Sequence, residues 1–130
     1  MLKVTCAIIE LHGKVLVTQR SEFMREPLLW EFPGGKLEQG ETEEACLVRE
    51  VYEELNIHVR PLKRLTPVMH QTKNHLIELI PHICTYVGGV IHLLEHIAFE
   101  WVDPSALQKY NWCLPDVPVV EEYLRLKKMT

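Results

Sequence analysis

Three carboxylates are spaced so that they would lie together on one helix. The segment 43–55 has apolar residues at three- and four-residue intervals, which predicts a helix. Because each helical residue advances by about 100°, Glu50, Glu53 and Glu54 share one face roughly 100° wide. Carboxylate oxygens are ligands that Mg²⁺ or Mn²⁺ prefers. Alone, this face is more typical of a solvated acidic surface.

A glycine loop directly precedes this helix. Trp30-Glu31-Phe32 predicts a short strand that stops at Pro33-Gly34-Gly35, where the backbone can bend sharply and approach a ligand. We expect residues 34–41 to form a loop and Thr42 to cap the helix, with Glu43 and Glu44 in its first turn. An exposed loop carbonyl beside the carboxylates would supply a further oxygen ligand. Loop and helix together therefore predict a site for phosphate and metal.

The same residues resemble the Nudix box, G-x5-E-x7-R-E-U-x-E-E-x-G-U, in which U is a large apolar residue. The chain has Gly35, then Glu41, then Arg49-Glu50-Val51-x-Glu53-Glu54-x-Asn56-Ile57, so that only the last glycine is replaced. Asparagine tolerates the left-handed conformation, so Asn56 predicts a small loss of stability and an intact metal face. The preceding segment 30–36, with the sequence WEFPGGK, also resembles the MutT-like branch, which hydrolyses nucleoside triphosphates.

The resemblance implies a metal site built from the box. Glu50, Glu53 and Glu54 are then metal-binding carboxylates, the Gly34 carbonyl is a further ligand, and the cofactor is Mg²⁺, with Mn²⁺ able to substitute. Glu41 and Arg49 match the supporting pair of the box, and their contact would orient the loop against the helix. The alternative for this pair is an ordinary surface ion pair.

MutT-like enzymes also carry a glutamate in the loop before the last core strand, as a metal ligand or as the base that activates water. Glu95 has the similar place here, and Glu100 is the next candidate. The sequence leaves open whether Glu53 or Glu95 is the base. A solvated loop acid is the alternative for Glu95.

Three residues are candidates for contact with substrate. Arg20, at the end of the second strand, resembles the phosphate-contacting arginine of the family, and Lys36 in the glycine loop could neutralise further phosphate charge. Asp116 corresponds to the position at which this branch holds a nucleobase-reading Asn or Asp, and it also suits a helix N-cap. The seven histidines show neither HxH nor HExxH spacing, so the sequence predicts neither a zinc site nor a histidine base, and isolated surface or partly buried imidazoles are expected.

The elements that must position these residues form an α/β pattern. Strands are predicted at 4–10 and 14–20, around His12-Gly13, and at 57–68, 75–87 and 91–102, with Gly88-Gly89 as a turn. A short helix follows Asp103-Pro104, and a last helix follows Asp116 and ends near Lys127-Lys128. By resemblance the fold is a Nudix-type α/β/α sandwich with a mixed β-sheet and a loop-helix metal site, in one domain over residues 1–130.

Composition excludes several classes of protein. The 130 residues, 47% of them hydrophobic, can bury a core without disulfides or a structural metal. A formal net charge of −4 disfavours a polynucleotide partner, and no apolar run is long enough to span a membrane. The four cysteines are far apart and form no CxxC pair, which is typical of reduced thiols in a cytoplasmic protein. Whether the chain is a monomer or a homodimer stays open.

The expected function is Mg²⁺-dependent hydrolysis of a nucleoside triphosphate to the monophosphate and pyrophosphate. The first choice of substrate is an oxidised purine nucleotide such as 8-oxo-dGTP, as in sanitation of the nucleotide pool and DNA repair. CTP or 5-methyl-dCTP is the alternative, because an aspartate at position 116 can accept from exocyclic amino groups of either base. A hypothesis of another class is a Nudix-fold module that senses a nucleotide without hydrolysing it, although the complete set of box acids argues against it.

Overall fold

A mixed β-sheet with a helix on each face forms the centre of the molecule. The computed structural model describes residues 1–128. The path of paired strands runs β3-β2-β1-β7-β5, while β4 pairs with β1, β6 with β7 and β8 with β2. The strands are β1 (Leu2–Leu11), β2 (Lys14–Gln19), β3 (Trp30–Glu31), β4 (Gly34–Lys36), β5 (Ile57–Arg64), β6 (Val68–Gln71), β7 (Leu76–Gly89) and β8 (Ala98–Val102). The helices are α1 (Glu43–Leu55) and α2 (Val117–Lys128), with 3-10 turns at Pro104–Lys109 and Leu114–Asp116.

The two long strands β1 and β7 run parallel at the centre of the sheet, in register from Leu2 opposite Ile77 to Glu10 opposite Thr85. Residues 5–9 of β1 are all buried, as expected for a strand covered on both faces. Alternate side chains enter different cores, because successive strand residues point to opposite faces. Ile8 packs with the α2 side and Ile9 with the α1 side. The predicted α/β/α sandwich with a mixed sheet is confirmed.

Helix α1 begins and ends at the residues that the sequence predicted. The Thr42 hydroxyl accepts a hydrogen bond from the Ala45 amide at 3.0 Å, so it caps the first turn. Asn56 has φ 62°, in the left-handed region, and its amide donates to the Tyr52 carbonyl at 2.8 Å. The Asn56 side chain also donates to the Val90 carbonyl at 3.2 Å. These caps determine where the acidic face of α1 begins and ends.

The glycine loop contains a strand that was predicted as irregular. Gly34–Lys36 pairs antiparallel with β1, with Gly34 opposite Cys6 and Lys36 opposite Val4. A Cβ at Gly34 would collide with the backbone oxygen of Thr5, so only glycine permits this approach. The pairing anchors the start of the box to the central strand.

The predicted strand at 91–102 was too long. Only Ala98–Val102 forms β8, while residues 91–97 form a loop fastened to the end of α1. Within it, His92 N–H donates to the Leu55 carbonyl at 3.0 Å and Leu94 N–H to the Glu54 carbonyl at 3.1 Å. Ile91 and Leu93 of this loop pack against the core on the α1 side instead of extending the sheet.

Two other strand predictions also had wrong boundaries. The segment 57–68 divides because β5 ends at Arg64, and β6 (Val68–Gln71) begins after an interruption that contains Pro67. Gly88 and Gly89 are the last residues of β7, paired with His58 and Ile57, and do not form the predicted turn. Among residues 1–128, no helix is long and apolar enough to cross a membrane.

Candidate active site

Arg49 lies at the centre of the acidic face of α1. Its guanidinium donates to both Glu41 oxygens, with Nε–Oε2 at 2.6 Å and Nη2–Oε1 at 2.9 Å. Its Nη1 lies 3.0 Å from Glu50 Oε2 and 3.0 Å from Glu53 Oε1, and Nη2 donates to the Lys36 carbonyl. The hydrogen bond from Arg49 lowers the pKa of Glu41 to about 2. Arg49 thus joins the glycine loop to the helix and offsets the repulsion between the acids.

Glu50 lies against the glycine loop. A Cβ at Gly35 would overlap the Glu50 carboxylate, so the absence of a side chain there creates the space that this carboxylate occupies. Thr5 Oγ1 donates to the Gly35 carbonyl at 3.2 Å, and Cys46 Sγ contacts the Gly35 and Lys36 carbonyls at 3.6 and 3.4 Å. The loop backbone is therefore held by β1 and α1 together.

Glu54 is the one buried acid of the box, with 4% of its surface exposed. Burial, followed by the negative charges of Glu95, Glu31 and Glu50, raises its pKa to about 10. A carboxyl group in such a position is neutral at pH 7 unless a cation stabilises its ionised form. The structure thus concentrates negative charge at the point where the resemblance implies a metal.

One cavity of about 600 Å³ links the box to the other end of the site. Its lining includes Gly34 from the glycine loop, Glu54 from the box, Glu95 from the loop before β8, Arg20 from the end of β2, and Asp116 before α2. These five residues come from five separate parts of the chain. The cavity has the concave, partly apolar form of a small-molecule site.

Asp116 is 5% exposed and lines the cavity together with Phe32 and Cys113. Its Oδ2 accepts a hydrogen bond from the Phe32 amide at 2.9 Å. Burial raises the pKa of Asp116 well above its ordinary value, and the charges of Glu31 and Glu26 act in the same direction. Among the described residues, this carboxyl group therefore bonds to the residue that follows β3, whereas an N-cap residue would bond to the first turn of α2.

The structure adds two residues that sequence reasoning had not assigned to the site, Glu31 and His96. Glu31 Oε1 accepts from Arg20 Nη1 at 2.9 Å, and Glu31 Oε2 lies 2.8 Å from His96 Nε2. His96 is buried, with only 1% of its side chain exposed, although the sequence predicted isolated histidines without a role. Only positional signals in the sequence indicated a role of these residues. Glu31 belongs to the strand before the glycine loop, and His96 directly follows Glu95.

Not all predicted site residues face the cavity. Lys36 lines a separate depression of about 330 Å³ with Glu38 and Glu41. Glu53 is largely exposed and does not belong to the cavity lining, and Glu50 faces the glycine loop. Within residues 1–128, no three His, Cys, Asp or Glu side chains converge to hold a metal ion. Arg49 instead forms ion pairs with Glu41, Glu50 and Glu53.

The donor atoms nevertheless suit a hard divalent cation. They are all oxygens, from the carboxylates of Glu50, Glu53, Glu54 and Glu95 and from the backbone carbonyl of Gly34, and no soft sulfur or imidazole ligand is among them. Burial and neighbouring negative charges raise the pKa of Glu54, and a divalent ion bound beside it would balance those charges. The residues present therefore fit the divalent metal that the resemblance implies.

The NUDIX domain profile matches residues 1–123, and the chain belongs to this family of hydrolases. It is 32% identical to a CTP pyrophosphohydrolase of Escherichia coli over 98% of this chain and 94% of that protein. It is 37% identical to a putative 8-oxo-dGTP diphosphatase 2 of Mycobacterium tuberculosis over 78% of this chain and 73% of that protein. The crystal structure of a MutT protein from Methanosarcina mazei superposes with a TM-score of 0.87 at 26% identity, covering 98% and 95% of the two chains. The chain is thus a Nudix pyrophosphohydrolase with a divalent metal cofactor and a nucleotide substrate.

Proposed function

We propose that this enzyme hydrolyses a nucleoside triphosphate to the monophosphate and pyrophosphate with Mg²⁺, for which Mn²⁺ can substitute. The observation that carries the proposal is that Glu54, Glu95, Arg20 and Asp116 line the same cavity. A polyphosphate at the acidic end and a base at the Asp116 end would together occupy it. The names of the two relatives, which both indicate nucleoside triphosphates, support this substrate class.

In this proposal Glu50, Glu53, Glu54, Glu95 and the Gly34 carbonyl hold the metal. When bound, the metal neutralises the phosphate charge and stabilises the charge that develops during hydrolysis. Arg20 contacts phosphate oxygens, because a guanidinium can bind two of them at once. Glu53 or Glu95 positions or deprotonates the attacking water, and attack at the β-phosphorus, as the MutT resemblance implies, releases pyrophosphate.

Among the bases, cytosine has the better chemical match to Asp116. A neutral carboxyl group has one O–H donor and free acceptor lone pairs, whereas an ionised one only accepts. Cytosine has an acceptor at N3 beside the donor N4 amino group, so it complements the neutral form. Burial favours that neutral form in Asp116. The CTP pyrophosphohydrolase of Escherichia coli, which is 32% identical over 98% of this chain, agrees with this choice.

An oxidised purine such as 8-oxo-dGTP is the second candidate. The guanine edge has two adjacent N–H donors, which suit an ionised Asp116 that accepts both. The relative from Mycobacterium tuberculosis, named as a putative 8-oxo-dGTP diphosphatase, favours it. The two candidates therefore require different protonation states of one side chain.

A screen for pyrophosphate release tests the proposed function. CTP, 5-methyl-dCTP, 8-oxo-dGTP and the common nucleoside triphosphates are each incubated with the enzyme and Mg²⁺, and again with EDTA. We expect release that depends on the metal, with the highest kcat/KM for a cytidine nucleotide. Nucleotide binding without pyrophosphate release would instead identify a sensing module. The highest kcat/KM for 8-oxo-dGTP would select the second candidate.

Two substitutions at Asp116 test the recognition of the base. Asp116→Asn retains a donor and an acceptor, so we expect kcat/KM for CTP within about tenfold of wild type, while Asp116→Ala lowers it by about a hundredfold or more. Steady-state kinetics on CTP and on a poor substrate such as UTP measure both effects. Equal losses of kcat/KM for the two variants would contradict recognition of the base by a neutral Asp116 carboxyl group.

Glu53→Gln tests the catalytic role of the exposed box glutamate. We expect turnover to fall by at least about a hundredfold, a typical loss for a general base or a metal ligand. The fold should be unchanged, because Glu53 is exposed at the surface of α1. Glu121→Gln, an exposed acid on α2, is the matched control. Turnover near wild type in Glu53→Gln would remove this residue from the mechanism.

A further inference from the structure

His96 is buried immediately beside Glu95 but is not among the described residues that line the cavity. Its Nε2 lies 2.8 Å from Glu31 Oε2. A carboxylate can only accept, so Nε2 carries the proton and donates to Glu31. The other ring nitrogen, Nδ1, is the only buried side-chain polar atom without a hydrogen bond among residues 1–128, and it lies 3.9 Å from Glu54 Oε1. The bond to Glu31 is therefore the polar contact that fixes the ring.

Glu31 connects this ring to the predicted phosphate-binding arginine. Its Oε1 accepts from Arg20 Nη1 at 2.9 Å, while Oε2 is taken by His96. The Glu31 and Arg20 side chains are each about one-fifth exposed, at 18% and 19%, so both are largely shielded from water. A carboxylate held at both oxygens has little freedom to rotate. Its orientation, together with the hydrogen bond from Arg20 Nε to the Arg25 carbonyl, then determines where the Arg20 guanidinium lies in the cavity.

The loop that carries His96 is itself rigidly placed. Leu94 N–H donates to the Glu54 carbonyl at 3.1 Å, and Ile97 N–H donates to the Gln19 carbonyl at 3.0 Å. The backbone that carries the His96 ring is thus bonded on one side to α1 and on the other to the end of β2, next to Arg20. Such a support suits a residue that positions another one.

We infer that His96 is a positioning residue, which holds Glu31 and through it aims the Arg20 guanidinium at the polyphosphate of the substrate. Three residues distant in sequence then act in series, and only Arg20 touches the ligand. This inference deepens the proposed function and rests on it, since Arg20 must contact phosphate. It predicts that the effect of His96 on phosphate binding exists only while Arg20 is present.

The test measures binding of inorganic tripolyphosphate with Mg²⁺ by isothermal titration calorimetry. The variants are His96→Leu, which removes the donor, and His96→Gln, whose amide can place a donor near the position of Nε2. Arg20→Ala and the double variant Arg20→Ala/His96→Leu complete the cycle. His92→Leu is the matched control, because His92 lies exposed in the same loop. Far-UV circular dichroism and the melting temperature show that each variant folds.

We expect His96→Leu to weaken binding about tenfold, a typical loss for a charge-assisted hydrogen bond. His96→Gln should stay within about threefold of wild type, and His92→Leu should equal wild type. In the Arg20→Ala background, His96→Leu should cause no further loss. The same pattern is expected in KM for the nucleotide found by the screen, with kcat changed less than KM.

A purely structural role predicts a different pattern. An equal loss from His96→Leu with and without Arg20, or no loss at all, would overturn the inference, as would a wild type that binds tripolyphosphate no better than Arg20→Ala. If His96→Leu does not fold, His96→Asn, whose shorter amide falls short of Glu31, replaces it in the same cycle. The proposed function fails separately, when tripolyphosphate binds but no nucleoside triphosphate yields pyrophosphate.

Discussion

At the scale of the single residue, burial decides what the carboxyl groups do. Glu41 and Asp116 are both acids of the candidate site, but their pKa values move in opposite directions. The Arg49 hydrogen bond lowers the pKa of Glu41 to about 2, whereas burial raises the pKa of Asp116. One is therefore a permanent anion that orients the box, and the other is suited to donate a hydrogen bond.

The raised pKa of Asp116 predicts a specific dependence of stability on pH. The folded protein binds this proton more tightly than the unfolded chain, whose Asp pKa is about 3.9. The stabilising contribution is therefore complete below that value and is lost as the pH rises towards the folded-state pKa. Asp116→Asn cannot ionise and keeps an acceptor for the Phe32 amide. We expect its free energy of unfolding to exceed that of wild type increasingly from pH 4 to pH 8, as measured by urea denaturation. A difference that is constant with pH would contradict this assignment.

The residue scale is also where sequence reasoning was least complete. Glu50, Glu53 and Glu54 could be grouped because helical spacing places residues three and four apart on one face. His96 and Glu31 are 65 positions apart, and their contact depends on how β3 and the loop before β8 meet. No local sequence pattern predicts such a contact, so the sequence indicated only an isolated histidine at position 96.

At the scale of the element, the adjacent glycines Gly34 and Gly35 of the glycine loop have different tasks. A Cβ at Gly34 would collide with the Thr5 backbone oxygen, which cannot move without breaking the β1–β4 pairing. A Cβ at Gly35 would collide with the end of the Glu50 side chain, which can rotate away. Gly34 is thus required for the pairing of β4 with β1, and Gly35 is required for the position of the Glu50 carboxylate.

Alanine substitutions should separate these tasks. We expect Gly34→Ala to destabilise the protein by about 2 kcal/mol or more, since overpacking of this kind costs about 1–3 kcal/mol even when only side chains must move. Gly35→Ala should retain most of the stability but lose about a hundredfold in kcat, because Glu50 is displaced. Thermal unfolding and pyrophosphate release measure the two effects, with Gly88→Ala as a control, since a Cβ there meets no atom within 4 Å. A fully active Gly35→Ala would contradict the role given to this contact.

Elements with strong local signals were predicted well. Helix α1 agrees from Thr42 to Asn56 because its caps and its periodicity are local properties. The loop 91–97 was predicted as strand because it is rich in Ile and Leu, and only the tertiary structure shows that Ile91 and Leu93 pack against the core on the α1 side. Strand β4 was missed because glycine has low intrinsic strand preference, while its pairing with β1 depends on close approach of the two backbones.

At the scale of the whole molecule, metal binding should be visible as stability. The acids gathered at the box repel one another, and a divalent cation bound only by the folded protein shifts the unfolding equilibrium by mass action. At about 100 times its Kd, Mg²⁺ should add about 2.7 kcal/mol to the free energy of unfolding. Chemical denaturation with Mg²⁺ and with EDTA measures this gain, and Glu54→Gln, which lacks the buried charge, should show a smaller one. An identical curve in Mg²⁺ and EDTA would indicate an incidental acidic helix.

The sequence by itself determined the family, the α/β class and the acidic face of α1, because each of these depends on short-range spacing or on a contiguous motif. The box, its caps and its Arg49–Glu41 pair all lie within one stretch of chain. Only the tertiary structure decided which of the predicted site residues line the cavity, since Glu54 does and Lys36 does not. The structure also showed that Asp116 is buried and bonded to the Phe32 amide. It also joined Arg20, Glu31 and His96 into one chain of contacts. Burial and distance between remote segments arise from packing of the whole sheet, and no local pattern in the sequence contains them.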